Sequence, residues 1–278
     1  MEQTNKTAEI NRKNALKQSY SRPNIKDLVV IINDINQVNN DEISEIKIKI
    51  AEYNYCIYRS KCSLESKDSL LKFANTLGMK TYDSNNIDSN AVSEITNIKS
   101  DTKIEYVPYT TNKLNWHTDG YYNNSSESIF SWLLHCVQPA KYGGENFLLD
   151  HEVVFKEYIK RFGSLSDLDR DDAFIIPENK AIGRPDTSSY VFSNKNIYNR
   201  IHMKFSMRKN NIEIKNSLKN GYENLRKLIT DVSEKYSVVY KLDKNEGILS
   251  NNVLHGRNEY KDGKSKRKLF RVRSYERM

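Results

Sequence analysis

The chain has 278 residues, of which 37% are apolar and 29% charged, with a net charge of +8 at pH 7. This length allows one large domain, and the composition is far from collagen-like or low-complexity extremes. No run reaches the roughly 20 apolar residues of a bilayer-spanning helix, and the first residues lack the apolar core of a secretory signal. We therefore expect a globular cytoplasmic protein.

Cysteine usage agrees with that compartment. The three cysteines, Cys56, Cys62 and Cys136, are an odd number and contain no Cys-x-x-Cys spacing. Such a pattern favours reduced thiols over a disulfide framework or a zinc site.

The first hundred residues predict a mixture of short elements. Residues 1–24 are polar and non-periodic, and we expect a mobile arm there. Residues 25–101 are expected to form N-terminal α/β elements that pack on the core. The predicted elements are a strand at Leu28–Ile32, a helix at Asp41–Tyr53, a strand at Tyr55–Tyr58, a helix at Leu64–Leu77 and a long loop over 81–101.

After residue 102 the pattern changes to short β-like runs separated by turn signals. The runs are Ile104–Tyr109, Ile129–Cys136, Asn146–Leu149, Ser189–Phe192, Ser237–Leu242, Gly247–Leu249 and Lys268–Tyr275, with helices near 151–162 and 221–236. Many short strands of this kind predict an antiparallel sandwich or barrel. The predicted fold class is α+β, mainly β, with a double-stranded β-helix (jelly-roll) core over 102–278 and flanking helices, making one catalytic domain.

A metal-binding pattern lies between two of these runs. His117 and Asp119 are two residues apart, and residues i and i+2 of a strand point to one face. His255, on a late strand, could complete a face of two histidines and one carboxylate, which is diagnostic of non-haem iron(II) oxygenases. Without the late histidine, the pair alone could be coincidence.

Two arginines follow the late histidine. Arg267 lies 12 residues beyond His255, and Arg271 lies four residues further along. A guanidinium can grip a carboxylate with two parallel hydrogen bonds, so one of them could hold the distal carboxylate of a keto acid. The alternatives are a solvent-facing charge for Arg267 and a salt bridge from Arg271 to Glu105 or Glu145.

Taken together, these motifs resemble a known family. His117-Thr118-Asp119, Tyr142–Asn146, His255-Gly256-Arg257 and Arg267-x-x-x-Arg271 occur in the order found in the taurine dioxygenase-like group of iron(II)/2-oxoglutarate enzymes. The resemblance spans roughly residues 100–278. It implies a dioxygenase that uses Fe(II), 2-oxoglutarate and O2, releases succinate and CO2, and hydroxylates a C–H bond.

The same resemblance implies roles for single residues. His117, Asp119 and His255 would be the iron ligands and Arg267 the partner of the distal 2-oxoglutarate carboxylate. Arg271 falls where the taurine enzyme binds its anionic substrate, so we expect a small, acid-bearing substrate. Asn146 stands where the taurine enzymes carry a threonine that touches 2-oxoglutarate, and its amide could donate instead.

Other residues leave alternatives open. Tyr121 and His202 could line the substrate pocket, although either could equally belong to the core. The segment from His255 to Met278 contains nine basic and three acidic residues. A nucleic-acid-binding protein that exposes Phe270 and Tyr275, an inactive scaffold, and an oxygenase of macromolecules are therefore competing hypotheses, and a homo-oligomer is compatible with the sequence.

Overall fold

A computed structural model describes residues 20–83, 91–98, 107–178, 184–208 and 212–278. Residues 1–19 of the expected arm lie outside this part of the chain, as do portions of the expected 81–101 loop and of the Ile104–Tyr109 strand.

Helices begin where capping residues satisfy free backbone amides. Asn39 and Glu42 form a reciprocal capping box, and the Asp150 side chain accepts from the Glu152 amide. The predicted helices are confirmed within three residues at each end. The helices are α1 (Ile25–Leu28), α2 (Asn40–Tyr53), α3 (Lys67–Thr76), α4 (His151–Phe162) and α5 (Lys219–Tyr236), with 3-10 turns at Val107–Tyr109, Ser125–Glu127 and Asn216–Leu218.

The strands are short, as the turn-rich sequence predicts. They are β1 (Val29–Ile32), β2 (Tyr55–Ser60), β3 (Val92–Thr96), β4 (Leu114–His117), β5 (Ser131–Gln138), β6 (Tyr142–Gly143), β7 (Asn146–Leu149), β8 (Phe174–Ile176), β9 (Thr187–Ser189), β10 (Phe192–Ser193), β11 (His202–Met203), β12 (Glu213–Ile214), β13 (Val238–Tyr240), β14 (Glu246–Ser250), β15 (Leu254–Arg257), β16 (Tyr260–Lys261) and β17 (Lys268–Ser274).

Two sheets dominate the described residues. The larger has six strands in the order β1-β2-β14-β5-β17-β3, antiparallel except for the β1–β2 pair, and the smaller has the order β13-β7-β15-β4. The N-terminal strands therefore continue the sheet formed by the later part of the chain. The fold is a mixed α/β structure, mostly sheet.

One cavity takes its lining from both sheets. Trp132 and Leu134 of β5 and Leu269 of β17 line it from the larger sheet, whereas Leu114 of β4 and Leu148 of β7 line it from the smaller one. All except Leu114 are at least nine-tenths buried. The side chains at the strand ends around this cavity are consequently shielded from water.

Three sequence predictions differ from the structure. The expected loop over 81–101 contains β3, because the short run Val92–Thr96 pairs along β17 even though it has few apolar residues of its own. Val107–Tyr109, expected as strand, forms a 3-10 turn. The expected Ser189–Phe192 strand is divided between β9 and β10, which pair with different neighbours. Among the described helices, none is long and apolar enough to cross a membrane.

Candidate active site

The structure brings His117, Asp119 and His255 together in the cavity. One ligand atom from each lies within 4.8 Å of the other two. His117 ends β4 and is paired in register with His255 of β15. Nε2 of His117 lies 3.6 Å from Asp119 Oδ1, and Nε2 of His255 lies 3.8 Å from the same oxygen. This donor set fits a first-row divalent metal held by two imidazoles and one carboxylate.

The ring orientation of both histidines suits metal binding. Nδ1 of His117 lies 2.9 Å from the Asn115 carbonyl oxygen, and Nδ1 of His255 lies 2.9 Å from that of Val253. A carbonyl oxygen only accepts, so each Nδ1 carries the proton and each Nε2 presents its lone pair. Such backbone partners fix the tautomer of a ligating histidine.

Asp119 is held by an interaction that strand alternation did not predict. β4 ends at His117, so Asp119 lies in the following turn. The Asn252 side chain accepts from the Asp119 amide at 2.8 Å and donates to the Asp119 and Ile129 carbonyls at 2.9 and 2.7 Å. Asn252 itself has a positive φ of 53°, a conformation that asparagine tolerates. The turn before His255 thus positions the carboxylate.

The electrostatics of the three groups match that role. Burial opposes ionisation of Asp119, but the Arg271 guanidinium, His117 and His255 together hold the pKa of this carboxyl well below its usual range. Burial, with the neighbouring His117, lowers the pKa of His255 to about 3. At neutral pH the site therefore offers a carboxylate and a neutral imidazole, the protonation states that metal binding needs.

Three arginines line the same cavity: Arg257, Arg267 and Arg271. Arg271 Nη1 donates to Asp119 Oδ2 at 3.2 Å. Arg267 is 4% exposed, and within the described part of the chain no carboxylate oxygen lies within 4.0 Å of its guanidinium nitrogens. Burial lowers the pKa of Arg267, and the nearby Tyr260 and Asp262 oppose this only in part. Arg267 is therefore a buried cation without an ion pair among the described residues, and the same holds for Arg257.

Three buried donors in the cavity lining also lack acceptors among the described residues. They are Asn146 Nδ2, Trp132 Nε1 and Arg271 Nε. Trp132 additionally packs on the ring of His255, with 4.6 Å between centroids. Buried polar groups are nearly always hydrogen-bonded, so the lining fits a ligand rich in acceptor oxygens, such as a dicarboxylate. Trp132 was missed from the sequence because only its place opposite His255 reveals it.

The remaining expected contacts lie outside the cavity lining. Both ring nitrogens of His202 are engaged at 2.9 Å, with the Tyr190 hydroxyl and the Ile129 carbonyl. Tyr121 packs against Tyr122 within an apolar cluster. Phe270 packs on the apolar cluster beneath α3, and the Tyr275 hydroxyl donates to Asp83. Neither aromatic residue thus stands free for base stacking.

Comparison with known proteins identifies the family of the chain. The sequence model of the family described as "Taurine catabolism dioxygenase TauD, TfdA family" matches residues 22–165. No curated protein sequence matches the chain. The match includes His117, Asp119 and Asn146, whereas His255 and the arginines follow it.

Solved structures share the fold at low sequence identity. OrfP, a non-haem iron oxygenase in complex with Fe and alpha-ketoglutaric acid, has a TM-score of 0.62 at 13% identity over 86% of this chain and 81% of its own. A taurine dioxygenase from Burkholderia xenovorans has 0.61 at 14% over 92% and 90%. PvcB from Pseudomonas aeruginosa has 0.58 at 14% over 90% and 87%.

The fold and the family match define an iron- and 2-oxoglutarate-dependent dioxygenase, an oxidoreductase that uses O2 as co-substrate. The family model covers more than half of the chain. The protein belongs to the taurine catabolism dioxygenase family, and the resemblance read from its motifs is confirmed.

Proposed function

We propose that this enzyme hydroxylates a C–H bond of a small, acid-bearing substrate, with iron held by His117, Asp119 and His255. The observation that carries the proposal is the convergence of these three ligand atoms within 4.8 Å, in a cavity that three arginines also line. We further propose that the two main sheets form the double-stranded β-helix core of a single catalytic domain.

His117, Asp119 and His255 would hold the iron, and the cavity beside them would receive 2-oxoglutarate and the substrate. The bound iron and 2-oxoglutarate would supply the oxidising chemistry, in which O2 is consumed, succinate and CO2 are released, and one oxygen atom reaches the substrate. The imidazoles would bind the metal through Nε2, because each Nδ1 donates its hydrogen to a backbone carbonyl. The turn held by Asn252 keeps Asp119 in place before the metal arrives.

Arg267 and Asn146 would hold 2-oxoglutarate. The Arg267 guanidinium offers paired donors to the distal carboxylate, and Asn146 Nδ2 offers one more buried donor. Trp132 Nε1 adds a third donor on the same lining. A dicarboxylate would satisfy groups that otherwise remain desolvated without partners, which is favourable because such groups cost about 1–3 kcal/mol each.

Arg271 would bind the acid group of the substrate. Its Nη1 contacts Asp119, but its buried Nε has no acceptor within the described residues. Because Asp119 would share its charge with the metal, the charge of the buried Arg271 guanidinium would be only partly neutralised, and a further anion beside it would be stabilising. A carboxylate or sulfonate of the substrate would supply that anion, and its binding to Arg271 would place a nearby carbon close to the iron.

A paired ligand screen tests both halves of the proposal. Iron-loaded protein with 2-oxoglutarate would be titrated anaerobically with small carboxylic and sulfonic acids and with their neutral amides, while the visible iron–2-oxoglutarate band is followed. We expect the band in wild type but not in Asp119→Ala, and a shift with acids only. His135→Gln, a buried histidine outside the cavity, is the matched control. Absence of the band in wild type would refute the cosubstrate assignment, and equal shifts with amides would refute the acid-bearing substrate.

A further inference from the structure

Two buried arginines share one aromatic ring at the cosubstrate end of the cavity. The Arg257 guanidinium carbon lies 4.7 Å from the centroid of the Tyr260 ring, and that of Arg267 lies 5.1 Å from it. All three residues are 4% exposed. Arg257 and Arg267 line the cavity, whereas Tyr260 lies behind them and is not part of the lining.

Arg257 is fixed in place by backbone oxygens. Its Nη2 donates to the carbonyls of Thr110, at 2.9 Å, and Asn112, and its Nη1 donates to that of Pro108 at 3.4 Å. The same segment accepts from the Tyr260 amide, through the Thr111 carbonyl at 3.0 Å. The segment 108–112 therefore anchors both the Arg257 guanidinium and the backbone of Tyr260.

The two glycines of the Tyr142–Asn146 motif let their turn approach Tyr260 and Arg267 closely. Gly143 pairs with Tyr260, and the Gly144 amide donates to the Glu259 carbonyl at 3.0 Å. A Cβ on Gly143 would lie 2.2 Å from the Glu259 oxygen, and one on Gly144 would lie 3.3 Å from Tyr260 Cβ and 3.7 Å from Arg267 Nε. Both glycines also have positive φ. The turn thus packs directly against Tyr260 and Arg267 without an intervening side chain.

The neighbouring positive charges of Arg257 and Arg267 mean that packing must hold the Arg267 guanidinium in place. Burial, followed by the charge of Arg267, lowers the pKa of Arg257 to about 10. Neither guanidinium has a carboxylate within 4.0 Å among the residues that the structure describes. A buried guanidinium that is repelled by its neighbour and lacks an ion pair would turn away from the cavity unless packing retained it. An aromatic face supplies such retention, worth about 0.5–2 kcal/mol.

We propose that Tyr260, braced by Arg257, is the positioning residue that aims the Arg267 guanidinium and so sets the preference for a 2-oxo acid with a distal carboxylate. The inference rests on the proposed role of Arg267 as the cosubstrate anchor. Tyr260 and Arg257 act through Arg267 and not on the iron-binding end of the cosubstrate.

Two probes of equal chain length separate positioning from general support. 2-Oxoglutarate and 2-oxopentanoate differ only in the distal carboxylate, and calorimetric binding to the nickel-loaded protein reads affinity without turnover. Wild type should prefer 2-oxoglutarate. Tyr260→Leu should lower the affinity for 2-oxoglutarate about 10-fold and leave the affinity for 2-oxopentanoate unchanged. Tyr260→Phe keeps the ring and should bind both probes as wild type does.

Two further variants keep every outcome interpretable. Arg257→Lys retains the charge but cannot span the three carbonyls, so it should show the same selective loss and serves if Tyr260→Leu does not fold. Arg267→Gln should abolish the preference between the probes. Suppose that Arg267→Gln abolishes the preference while Tyr260→Leu and Arg257→Lys retain it, or lower the affinity for both probes equally. The positioning role of Tyr260 is then refuted, and the role of Arg267 as anchor is kept. If Arg267→Gln retains the preference, the anchor itself is refuted.

Discussion

Arg271 Nη1 lies 3.2 Å from Asp119 Oδ2, so the carboxylate assigned to iron already carries a guanidinium partner within the protein. The exposed fraction of the side chain is 12% for Arg271 and 5% for Asp119. The remaining oxygen, Oδ1, is the one that faces both histidines. Arg271 Nη1 also lies 3.4 Å from Oδ1, so the arginine pairs slightly more closely with Oδ2, and Oδ1 is shared between the arginine and the metal position.

The ion pair between Asp119 and Arg271 predicts an energetic coupling between these two residues that does not depend on metal. Asp119→Asn and Arg271→Gln should each destabilise the metal-free protein by about 3 kcal/mol, because each leaves the other charge buried and unpaired. The double variant should lose clearly less than the sum. Urea unfolding in the presence of a chelator measures all four proteins. Additive losses would mean that the pair contributes nothing to the fold.

Metal binding should appear as a gain in stability. A divalent ion at about 1,000 times its Kd stabilises the folded state by about 4 kcal/mol. We expect Mn(II) to raise the unfolding midpoint of wild type and to leave that of His255→Ala unchanged. His151→Gln alters a buried histidine outside the cavity lining, whose Nε2 donates to the Ile201 carbonyl, and should keep the response. A full response in His255→Ala would remove that residue from the ligand set.

The sequence predicted which residues meet at this site better than it predicted why they meet. His117, Asp119 and His255 were recognisable because their types and order are unusual and carry chemistry. The predicted reason for their convergence, alternation along one strand, was wrong for Asp119, which lies beyond the end of β4. Its position depends on Asn252, 133 residues away, and side-chain amides in turns have no distinctive periodicity.

The same limit applies to the fold. Amphipathic helices such as α4 have capped ends and a 3.6-residue period, and were predicted closely. β3 was missed because Val92 and Ile95 leave almost no periodic signal, and the strand forms through its partner β17. Pairing between distant segments sets such strands, so local propensity cannot reveal them.

Acid should destabilise the protein through histidines away from the metal ligands. Burial lowers the pKa of His202 to about 3 and those of His135 and His151 to about 4. Below the unfolded-state pKa of about 6.5, these histidines bind protons in the unfolded chain but stay neutral in the folded chain. The free energy of unfolding therefore falls as the pH decreases from 6.5 toward 4. The loss should be about 2 kcal/mol per histidine by pH 5.

Urea unfolding of the metal-free protein at pH 7, 6 and 5 checks this dependence. His202→Gln keeps an amide donor for the Ile129 carbonyl and should show a shallower decrease than wild type. An equal decrease in both proteins would show that His202 takes up its proton without unfolding.

Asn146 should show opposite effects on stability and on cosubstrate binding. Its Nδ2 is buried without an acceptor among the described residues, and such a group costs about 1–3 kcal/mol of desolvation. Asn146→Leu keeps the branched shape of the side chain, although it is larger, and removes that donor, so the protein without cosubstrate should unfold at a higher urea concentration than wild type. The same variant should bind 2-oxoglutarate more weakly, because the donor proposed to contact it is gone. Asn146→Thr, which restores a hydroxyl donor, should recover part of the affinity. Calorimetry on the nickel-loaded variants, together with urea unfolding, checks both directions. A variant that loses stability and keeps its affinity would show that the Asn146 amide serves the fold and not the cosubstrate.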